Sequence, residues 1–439
     1  MTTARTALWP YLTAPSTHGD DSLCAVSASG HRITFADGSV VLDGNSGLWN
    51  ANLGYGNAAI AAAIGEAAKD ASYLGAFRYE NSYARRAAEA LVEVCGPDHY
   101  SRVLFSSSGG AANDAAMKLV RHYQALAGQP RRNLVVALRD SFHGLTFGGF
   151  ALTGEDLGQR VYGVDQRLVR HVTPNDLGEL RALVARSGAQ IAAVVVEPVL
   201  GSGTVPLSDA YIAELLRLRD ETGYLLVADE VATGFGRTGA FFASQTWPGQ
   251  PDVLITSKGL TNGTCPASAV VFSHRVAEAF TDQDAVLTHA ETQGATAIPC
   301  AAISATIAET HRLDAVVAGR ALAARLDAAV TRLVAEHPRV TGSSGRGCFR
   351  TLHLTEESGE RLPGSRVAEL VAEIRRAGAL VHPGPGGIQL VPALTYTDAE
   401  LDELMARVEA GLAAFTGTTA VPAGVPALPE PPAGPGRAS

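Results

Sequence analysis

Short apolar runs alternate with longer amphipathic stretches from about residue 55 onward. Runs that are apolar throughout are typical of strands buried on both faces, and their alternation with helices predicts a mostly parallel sheet covered by helices. The predicted strands are Val103–Phe105, Leu134–Leu138, Ile191–Val196, Leu225–Ala228, Val253–Ile255 and Ser268–Phe272. The predicted helices are Asn57–Asp70, Ser82–Val94, Ala111–Ala127, Asp209–Thr222 and Ala301–Val334, the last of which we expect to break into two.

The two ends of the chain show other patterns. Residues 31–43 alternate between apolar and polar, which predicts a hairpin that turns at Asp37-Gly38. Residues 345–394 predict a second, smaller α+β unit, closed by a helix over Asp398–Phe415. Residues 416–439 are rich in Pro, Ala and Gly with almost no large apolar residues, which predicts a disordered tail. The predicted division is an N-terminal segment of the small domain at 1–50, a large domain at 51–310 and the C-terminal small domain at 311–415.

Composition narrows the class of protein. The chain has 439 residues and a formal net charge of -9, without a cluster of Lys and Arg, so nucleic-acid binding is not expected. Its apolar stretches are shorter than a membrane span, and residues 1–9 lack the basic-then-apolar pattern of a signal peptide. The five cysteines lack CxxC spacing, which favours reduced thiols over disulfides or a metal site. These features predict a soluble cytoplasmic enzyme with no metal.

A lysine and an aspartate follow two of the buried strands. Lys258 comes after the apolar run Val253–Ile255, and Asp229 comes after Tyr224–Ala228. A lysine amine can hold an aldehyde as a Schiff base, and an aspartate can keep a pyridine nitrogen protonated so that the ring accepts electrons. Once released, the lysine can move a proton between the substrate carbon and the cofactor carbon. The pair predicts a pyridoxal 5'-phosphate (PLP) enzyme in which Lys258 and Asp229 are catalytic.

A glycine-rich loop stands between the strand Val103–Phe105 and the next helix. It contains Ser108, Gly109 and Gly110, whose small size lets backbone N–H groups approach an anion at a helix N-terminus. Many such loops are merely tight turns. With the lysine and the aspartate downstream, this loop is predicted to hold the cofactor phosphate.

Three further positions are candidates for contact with the cofactor. Phe142, with His143 beside it, follows a strand and could stack on a flat ring, although in isolation it would be read as a core residue. Val231 could press on the opposite ring face. Glu197 ends a fully apolar strand, where a carboxylate needs a partner or a function.

These motifs together make the chain similar to class III, fold-type I PLP aminotransferases from about residue 25 to residue 415. An ordered set of this kind is highly specific. The resemblance implies an α/β fold with a large PLP-binding domain, whose sheet is mostly parallel, and a smaller α+β domain. The motifs that carry it are Gly47-Leu48-Trp49-Asn50, Asn52-Leu53-Gly54, Ser108-Gly109-Gly110, Phe142-His143-Gly144, Glu197-Pro198-Val199, the run Asp229–Gly239 and Ser257-Lys258-Gly259-Leu260.

The resemblance also implies partners. Members of the family are homodimers with active sites at the subunit interface, and they use a small-molecule amine donor. Thr292 matches the threonine that reaches the phosphate bound by the neighbouring subunit. Trp49 matches an aromatic residue that commonly shapes the substrate pocket.

Four departures from the family pattern bear on the substrate. Residues 108–112 replace Ser-Gly-Ser-Glu-Ala, and residues 293–297 replace Tyr/Phe-x-Gly-Asn-Pro. Gln389 stands where members that recognise an α-carboxylate generally carry arginine, and Ser202 stands where some carry the glutamate that holds it. Glutamine cannot replace the charged fork of an arginine. We therefore expect a principal substrate without a free α-carboxylate at this position, unless another arginine takes over: Arg78, Arg237 or Arg350.

Residues 256–264 and 289–293 also resemble the aminotransferases of daptide-type ribosomal peptide pathways. That resemblance implies amination of a ketone at a peptide C-terminus, a substrate that has no α-carboxylate. The alternatives are an omega-amino acid or diamine:pyruvate-type transaminase, and an aminomutase or decarboxylase that uses the same lysine and aspartate. A non-catalytic scaffold protein is a third class, against which the intact Lys258, Asp229 and Phe142 argue.

Overall fold

The computed structural model describes residues 6–415, and the predicted disorder of residues 416–439 lies outside this range. The helices are α1 Ser46–Trp49, α2 Ala58–Asp70, α3 Ser82–Cys95, α4 Gly109–Leu126, α5 Phe147–Leu152, α6 Leu177–Ser187, α7 Asp209–Thr222, α8 His274–Thr281, α9 Ala297–Arg312, α10 Ala315–Glu336, α11 Gly364–Arg376 and α12 Asp398–Ala414. The strands are β1 Ala25–Ser29, β2 Arg32–Phe35, β3 Val40–Asp43, β4 Tyr100–Ser106, β5 Leu134–Leu138, β6 Val169–Val172, β7 Ile191–Val196, β8 Val199–Leu200, β9 Val205–Pro206, β10 Leu225–Asp229, β11 Val253–Thr256, β12 Ser268–Ser273, β13 Val340–Arg346, β14 Phe349–Leu354, β15 Ala379–Leu380, β16 His382–Gly384 and β17 Gly387–Leu390.

The apolar runs form one seven-stranded sheet in the order β4-β12-β11-β10-β7-β5-β6. Strands β10 and β11 pair in parallel, as do β7 and β10, whereas β12 is antiparallel to both of its neighbours. Every residue of β7 is buried, because apolar side chains from helices cover both faces of the sheet. The prediction of a mostly parallel, helix-covered sheet is confirmed.

Two four-stranded sheets lie outside this large sheet, in the orders β1-β2-β3-β15 and β13-β14-β17-β16. The predicted hairpin is formed by β2 and β3, which pair antiparallel. Strand β3 also pairs in parallel with β15, so the N-terminal segment joins the C-terminal part of the chain. This pairing supports the division at residues 50, 310 and 415, which stays a prediction.

The ends of the predicted helices agree with the structure to within two residues, except that α9 begins at Ala297, four residues before the predicted start. The expected break in Ala301–Val334 falls at Leu313 and Asp314, between α9 and α10, where Asp314 takes a φ of 46°. Among residues 6–415 no helix is long and apolar enough to cross a membrane.

Candidate active site

Lys258 and Asp229 lie at the same edge of the large sheet. Asp229 ends β10 and pairs in register with Ile255 of the neighbouring parallel strand, three residues before Lys258. The carboxyl ends of parallel strands form the usual ligand-binding edge of an α/β fold. The sheet therefore brings together the two residues that the sequence predicts to be catalytic.

The amino group of Lys258 is free within the described part of the chain. Its Nζ makes no hydrogen bond there and lies 4.3 Å from the centroid of the Trp49 ring. Burial lowers the pKa of Lys258 to about 8, an effect that the nearby charges of Glu197 and Asp229 oppose. A sizeable fraction of the lysine is consequently neutral, which is the form that attacks an aldehyde and accepts a proton.

The carboxylate of Asp229 is buried and held on three sides. Its Oδ2 accepts hydrogen bonds from Asn113 Nδ2 at 2.9 Å and pairs with His143 Nδ1 at 2.7 Å. Its Oδ1 accepts the N–H of Val231 at 3.1 Å. These donors fix the direction of the carboxylate.

His143 is buried beside this carboxylate, and its Nε2 has no hydrogen-bond partner among the described residues. Burial opposes its charge, but the hydrogen bond and the negative charge of Asp229 prevail, so the pKa of His143 is raised. His143 therefore helps to hold the carboxylate of Asp229 in one direction, and a carboxylate so placed can hold a proton on a pyridine nitrogen.

Glu197 uses both carboxylate oxygens to hold backbone. Oε1 accepts the N–H of Phe142 at 2.9 Å, and Oε2 accepts the N–H of Gly201 at 2.9 Å. Burial raises the pKa of Glu197 to about 7, against the effect of the His143 charge. A carboxylate in apolar surroundings needs hydrogen-bond partners, and for Glu197 these are backbone N–H groups of two loops at the sheet edge.

The predicted phosphate loop forms the N-terminus of α4, which is 18 residues long. Ser108 caps the helix by accepting the N–H of Ala111 at 3.2 Å. A β-carbon on Gly110 would stand 3.0 Å from Thr146 Oγ1, so the hydroxyl of another loop occupies the space next to this glycine. The loop is further held by Glu291, whose Oε2 accepts the N–H and the hydroxyl of Ser107.

Val231 borders this loop, whereas Phe142 follows β5 and keeps part of its ring exposed. A β-carbon on Gly109 would lie 3.3 Å from a methyl group of Val231, and Phe142 remains 38% exposed. A free lysine amine, a buried carboxylate and a glycine-rich helix N-terminus at one sheet edge are the groups that PLP requires. The residues present therefore fit this cofactor.

The residues that the sequence predicts for the substrate pocket include Trp49, which follows β3, and Gln389 of β17. Trp49 packs edge-on against Phe349, with ring centroids 4.9 Å apart, and against His382, with centroids 5.3 Å apart. Gln389 is buried in β17, and its Nε2 donates to the carbonyl oxygen of Gly201 at 2.7 Å. The glutamine in the place of the family's arginine is thus neutral and already engaged.

Trp49 is presented by a left-handed turn. The four residues of α1, Ser46–Trp49, have φ values of 49°, 56°, 62° and 67°, which non-glycine residues rarely adopt. The buried carboxylate of Asp43 holds the turn by accepting the N–H groups of Asn45 and Gly47 and the hydroxyl of Tyr55. The direction of the Trp49 ring therefore depends on an aspartate in the preceding strand.

Arg237 was predicted to be a substrate-pocket residue, and the structure shows its side chain engaged inside the protein. Its side chain is fully buried, and its guanidinium donates to the carbonyl oxygens of Cys348 and Pro392 and to Oδ1 of Asn52. Burial lowers the pKa of Arg237 to about 10, so it remains charged at neutral pH. A guanidinium that is committed to three internal acceptors links segments that are far apart in the chain, and these N–H groups are not free to bind a substrate carboxylate.

Thr292 makes no hydrogen bond to Lys258 among the described residues. It is exposed, and its carbonyl oxygen accepts the hydroxyl of Tyr73 at 3.0 Å. Sequence reasoning did not single out Asn113 or His382. Asn113 resembles any polar residue of an amphipathic helix, and His382 is separated from Lys258 by more than one hundred residues.

Comparisons with known proteins agree with this geometry. A family model described as aminotransferase class-III matches residues 14–412. An acetylornithine aminotransferase from Mycobacterium tuberculosis is 34% identical over 404 residues, covering 90% of this chain and 92% of its own. An omega-aminotransferase from Caulobacter vibrioides is 30% identical over 402 residues, covering 86% and 91%. The PLP-bound structure of an amine transaminase from an uncultivated Pseudomonas species superposes with a TM-score of 0.89 at 29% identity, covering 94% and 99%. The chain therefore belongs to the class III aminotransferases, which depend on PLP.

Proposed function

We propose that this aminotransferase moves an amino group from a small donor amine to a ketone or aldehyde that lacks a free α-carboxylate. The donor amine becomes a carbonyl compound and the acceptor carbonyl becomes an amine, so the nitrogen and hydrogens balance over the two half-reactions. PLP, when bound, supplies the aldehyde that takes up the amino group and a ring that accepts electrons.

The protein's own groups perform the remaining chemistry. The neutral Nζ of Lys258 takes a proton from the donor carbon and delivers one to the acceptor carbon. Asp229, oriented by Asn113 and His143, keeps a proton on the ring nitrogen. Backbone N–H groups at the start of α4 hold the phosphate.

The main support for a substrate without an α-carboxylate is that Gln389 is uncharged and already hydrogen-bonded. A carboxylate is best bound by a charged, two-pronged donor, and this amide is uncharged and hydrogen-bonded to Gly201. Ser202, next in sequence, carries no charge with which to position an arginine. A carboxylate entering here would also approach the acidic side chain of Glu197, which holds the same glycine.

Of the three substitute arginines, two are engaged. Arg237 binds internal acceptors, and Arg350 pairs with Asp327 at 2.8 Å and donates to Gly345. Arg78 has no ion pair among the described residues and lies over the Phe77 ring at 5.7 Å. An omega-amino acid or diamine:pyruvate-type transaminase that used Arg78 is therefore the second candidate.

The acceptor we favour is the C-terminal ketone of a ribosomally made peptide, as in daptide-like biosynthesis. Such a ketone has no α-carboxylate, which suits the uncharged surroundings of Gln389. The residues that resemble daptide-type enzymes include Glu291, whose carboxylate holds Ser107 of the phosphate loop.

We also propose a homodimer with shared active sites. Large apolar side chains are exposed on the segment before α3 and on the loop into α5, namely Tyr73, Phe77, Tyr79, Leu145 and Phe147. Exposed apolar surface of this extent is typical of a subunit interface. In such a dimer the exposed Thr292 would reach the phosphate of the partner subunit.

The decisive experiment follows the half-reactions of the PLP-loaded enzyme by visible absorption. Amine donors should bleach the lysine-bound cofactor, with Lys258→Ala as the inactive control. The aminated enzyme should then react with a peptide that carries a C-terminal methyl ketone, detected by mass, and far more slowly with 2-oxoglutarate. A faster reaction with 2-oxoglutarate would reject the proposed substrate class, and loss of that reaction in Arg78→Ala would establish the second candidate.

A further inference from the structure

The pocket wall that faces Lys258 contains a histidine whose hydrogen-bonding groups are unused. His382 begins β16 and is partly buried, and its imidazole makes no hydrogen bond or ion pair with residues 6–415. Its ring meets Trp49 edge-on, at a centroid distance of 5.3 Å and an interplanar angle of 74°. A partly buried imidazole to which the described residues supply no hydrogen-bond partner is available to a ligand.

The indole of Trp49 places this histidine near the reacting centre. Lys258 Nζ is 4.3 Å from the ring centroid of Trp49, and His382 packs against the edge of the same ring. Trp49 Nε1 is itself buried without a hydrogen-bond partner among the described residues. Two aromatic rings next to the lysine therefore have polar nitrogens that the protein leaves unsatisfied.

The pairing of β16 with β17 places His382 where it can contact the substrate. His382 lies directly opposite Gln389 in the antiparallel pair of β16 and β17. It is thus beside the place where a carboxylate-binding arginine is missing. A group attached next to the substrate carbonyl would be directed to this part of the wall.

His382 is uncharged at neutral pH. Burial, together with the positive charge of Lys258, lowers the pKa of His382 to about 4. A neutral imidazole has one N–H donor and one nitrogen acceptor, but no charge to offer a carboxylate. Its best partner is an uncharged group that can donate or accept, such as an amide.

We propose that His382 is a specificity-determining residue that hydrogen-bonds an amide adjacent to the acceptor's carbonyl. The inference rests on the proposed function and narrows its acceptor to ketones that carry a neighbouring amide, the arrangement at the end of a peptide chain. Selection arises because a bound acceptor covers the imidazole, and an acceptor without the amide does so without giving it a hydrogen-bond partner.

The test compares two ketones of the same shape, 1-acetamidopropan-2-one and 5-methylhexan-2-one, in single turnovers of the aminated holoenzyme. We expect the wild-type protein to prefer the amide ketone in kcat/KM. His382→Phe should reduce this preference about two- to tenfold, the range of one hydrogen bond. His382→Gln, which can still donate and accept, should restore most of it. The matched control His122→Phe changes a partly buried histidine of α4 that packs on Phe280, and it should leave the preference intact.

Each outcome bears on the inference. An unchanged preference in His382→Phe, with both ketones still reacting, would overturn the role of His382 and leave the proposed function standing. An equal loss in His382→Gln and His382→Phe would show that packing and not hydrogen bonding matters, which also rejects it. Failure of the aminated enzyme with every ketone would remove the proposed function and the inference together.

Discussion

The hydroxyl of Thr146 lies 3.0 Å from the place where a β-carbon on Gly110 would stand. Gly110 is one of the departures from the family's phosphate loop, and Gly144 approaches it closely from the same side. Thr146 therefore already fills the space that a serine side chain at position 110 would take. The helix lacks the serine hydroxyl of the family pattern, and the Thr146 hydroxyl of the neighbouring loop lies in its place.

Restoring the family residue should accordingly harm this protein. Gly110→Ser must push against Thr146, and we expect it to lower the free energy of unfolding by about 1–2 kcal/mol, as overpacking does. Thr146→Ala alone changes an exposed residue and should have an effect within about 0.5 kcal/mol. In the double variant much of the loss should disappear, a coupling that urea denaturation of the four proteins measures. Additive effects would contradict the contact.

Asn113 should control cofactor affinity through Asp229. Asn113→Leu removes a hydrogen bond to a charged group, worth about 1.5–3 kcal/mol, so PLP should bind about tenfold to a hundredfold more weakly. The matched control is Gln124→Leu on the same helix, where a buried amide donates to the backbone carbonyls of Ala192 and Gly223. That variant should lose stability while its PLP dissociation constant stays near the wild-type value. Equal weakening in both would mean that the helix as a whole, and not the bond to Asp229, sets the affinity.

The pKa of Lys258 should appear in the rate at which the PLP-free protein captures PLP. Because burial lowers this pKa to about 8, the rate should rise about tenfold per pH unit below that value and level off above it. Glu197 favours the charged lysine, so Glu197→Gln should move the inflection to lower pH. Stopped-flow absorption from about pH 6 to about pH 11.5 measures both curves, and an inflection near the ordinary lysine pKa of about 10.4 would refute the burial effect.

Arg237 should prove structural. Arg237→Met leaves the carbonyl oxygens of Cys348 and Pro392 and the Asn52 side chain without a donor, and we expect a loss of about 2–4 kcal/mol in unfolding free energy. The ratio of activities toward acceptors with and without a carboxylate should not change.

Arg350→Met is the control for this variant, because Arg350 pairs with the largely exposed Asp327 and its loss should cost about 1 kcal/mol or less. If Arg237→Met, at equal expression and folding, changed the ratio of activities toward acceptors with and without a carboxylate, Arg237 would have to contact the substrate.

The large sheet and its two catalytic candidates could be predicted because both are local patterns. Lys258 and Asp229 each follow an apolar run, and neighbouring parallel strands place their ends at one edge. The antiparallel direction of β12 could not be predicted from the sequence, since a buried strand shows the same apolar run in either direction. Gln389 could be identified as a departure, but its hydrogen bond to Gly201 depends on contacts between distant segments.

Arg237 shows the opposite difficulty. The sequence offered Arg237 as an arginine that could replace the missing carboxylate clamp, yet a residue type does not state which way its side chain points. Full burial among backbone carbonyls became evident only from the packed structure. His382 was missed for a related reason, because its environment is made by Trp49 and Lys258, each of which comes from a different part of the chain.

The left-handed turn that presents Trp49 has a consequence for evolution of the substrate range. The tryptophan is anchored to the strand β3, which pairs with β2 and β15, whereas Lys258 is anchored to β11 of the large sheet. The distance between the indole and the amine therefore depends on strands of two different sheets. A packing change in β3 or in Asp43, which accepts the hydrogen bonds of the turn, can alter the size of molecule admitted without any change to a residue that meets the substrate.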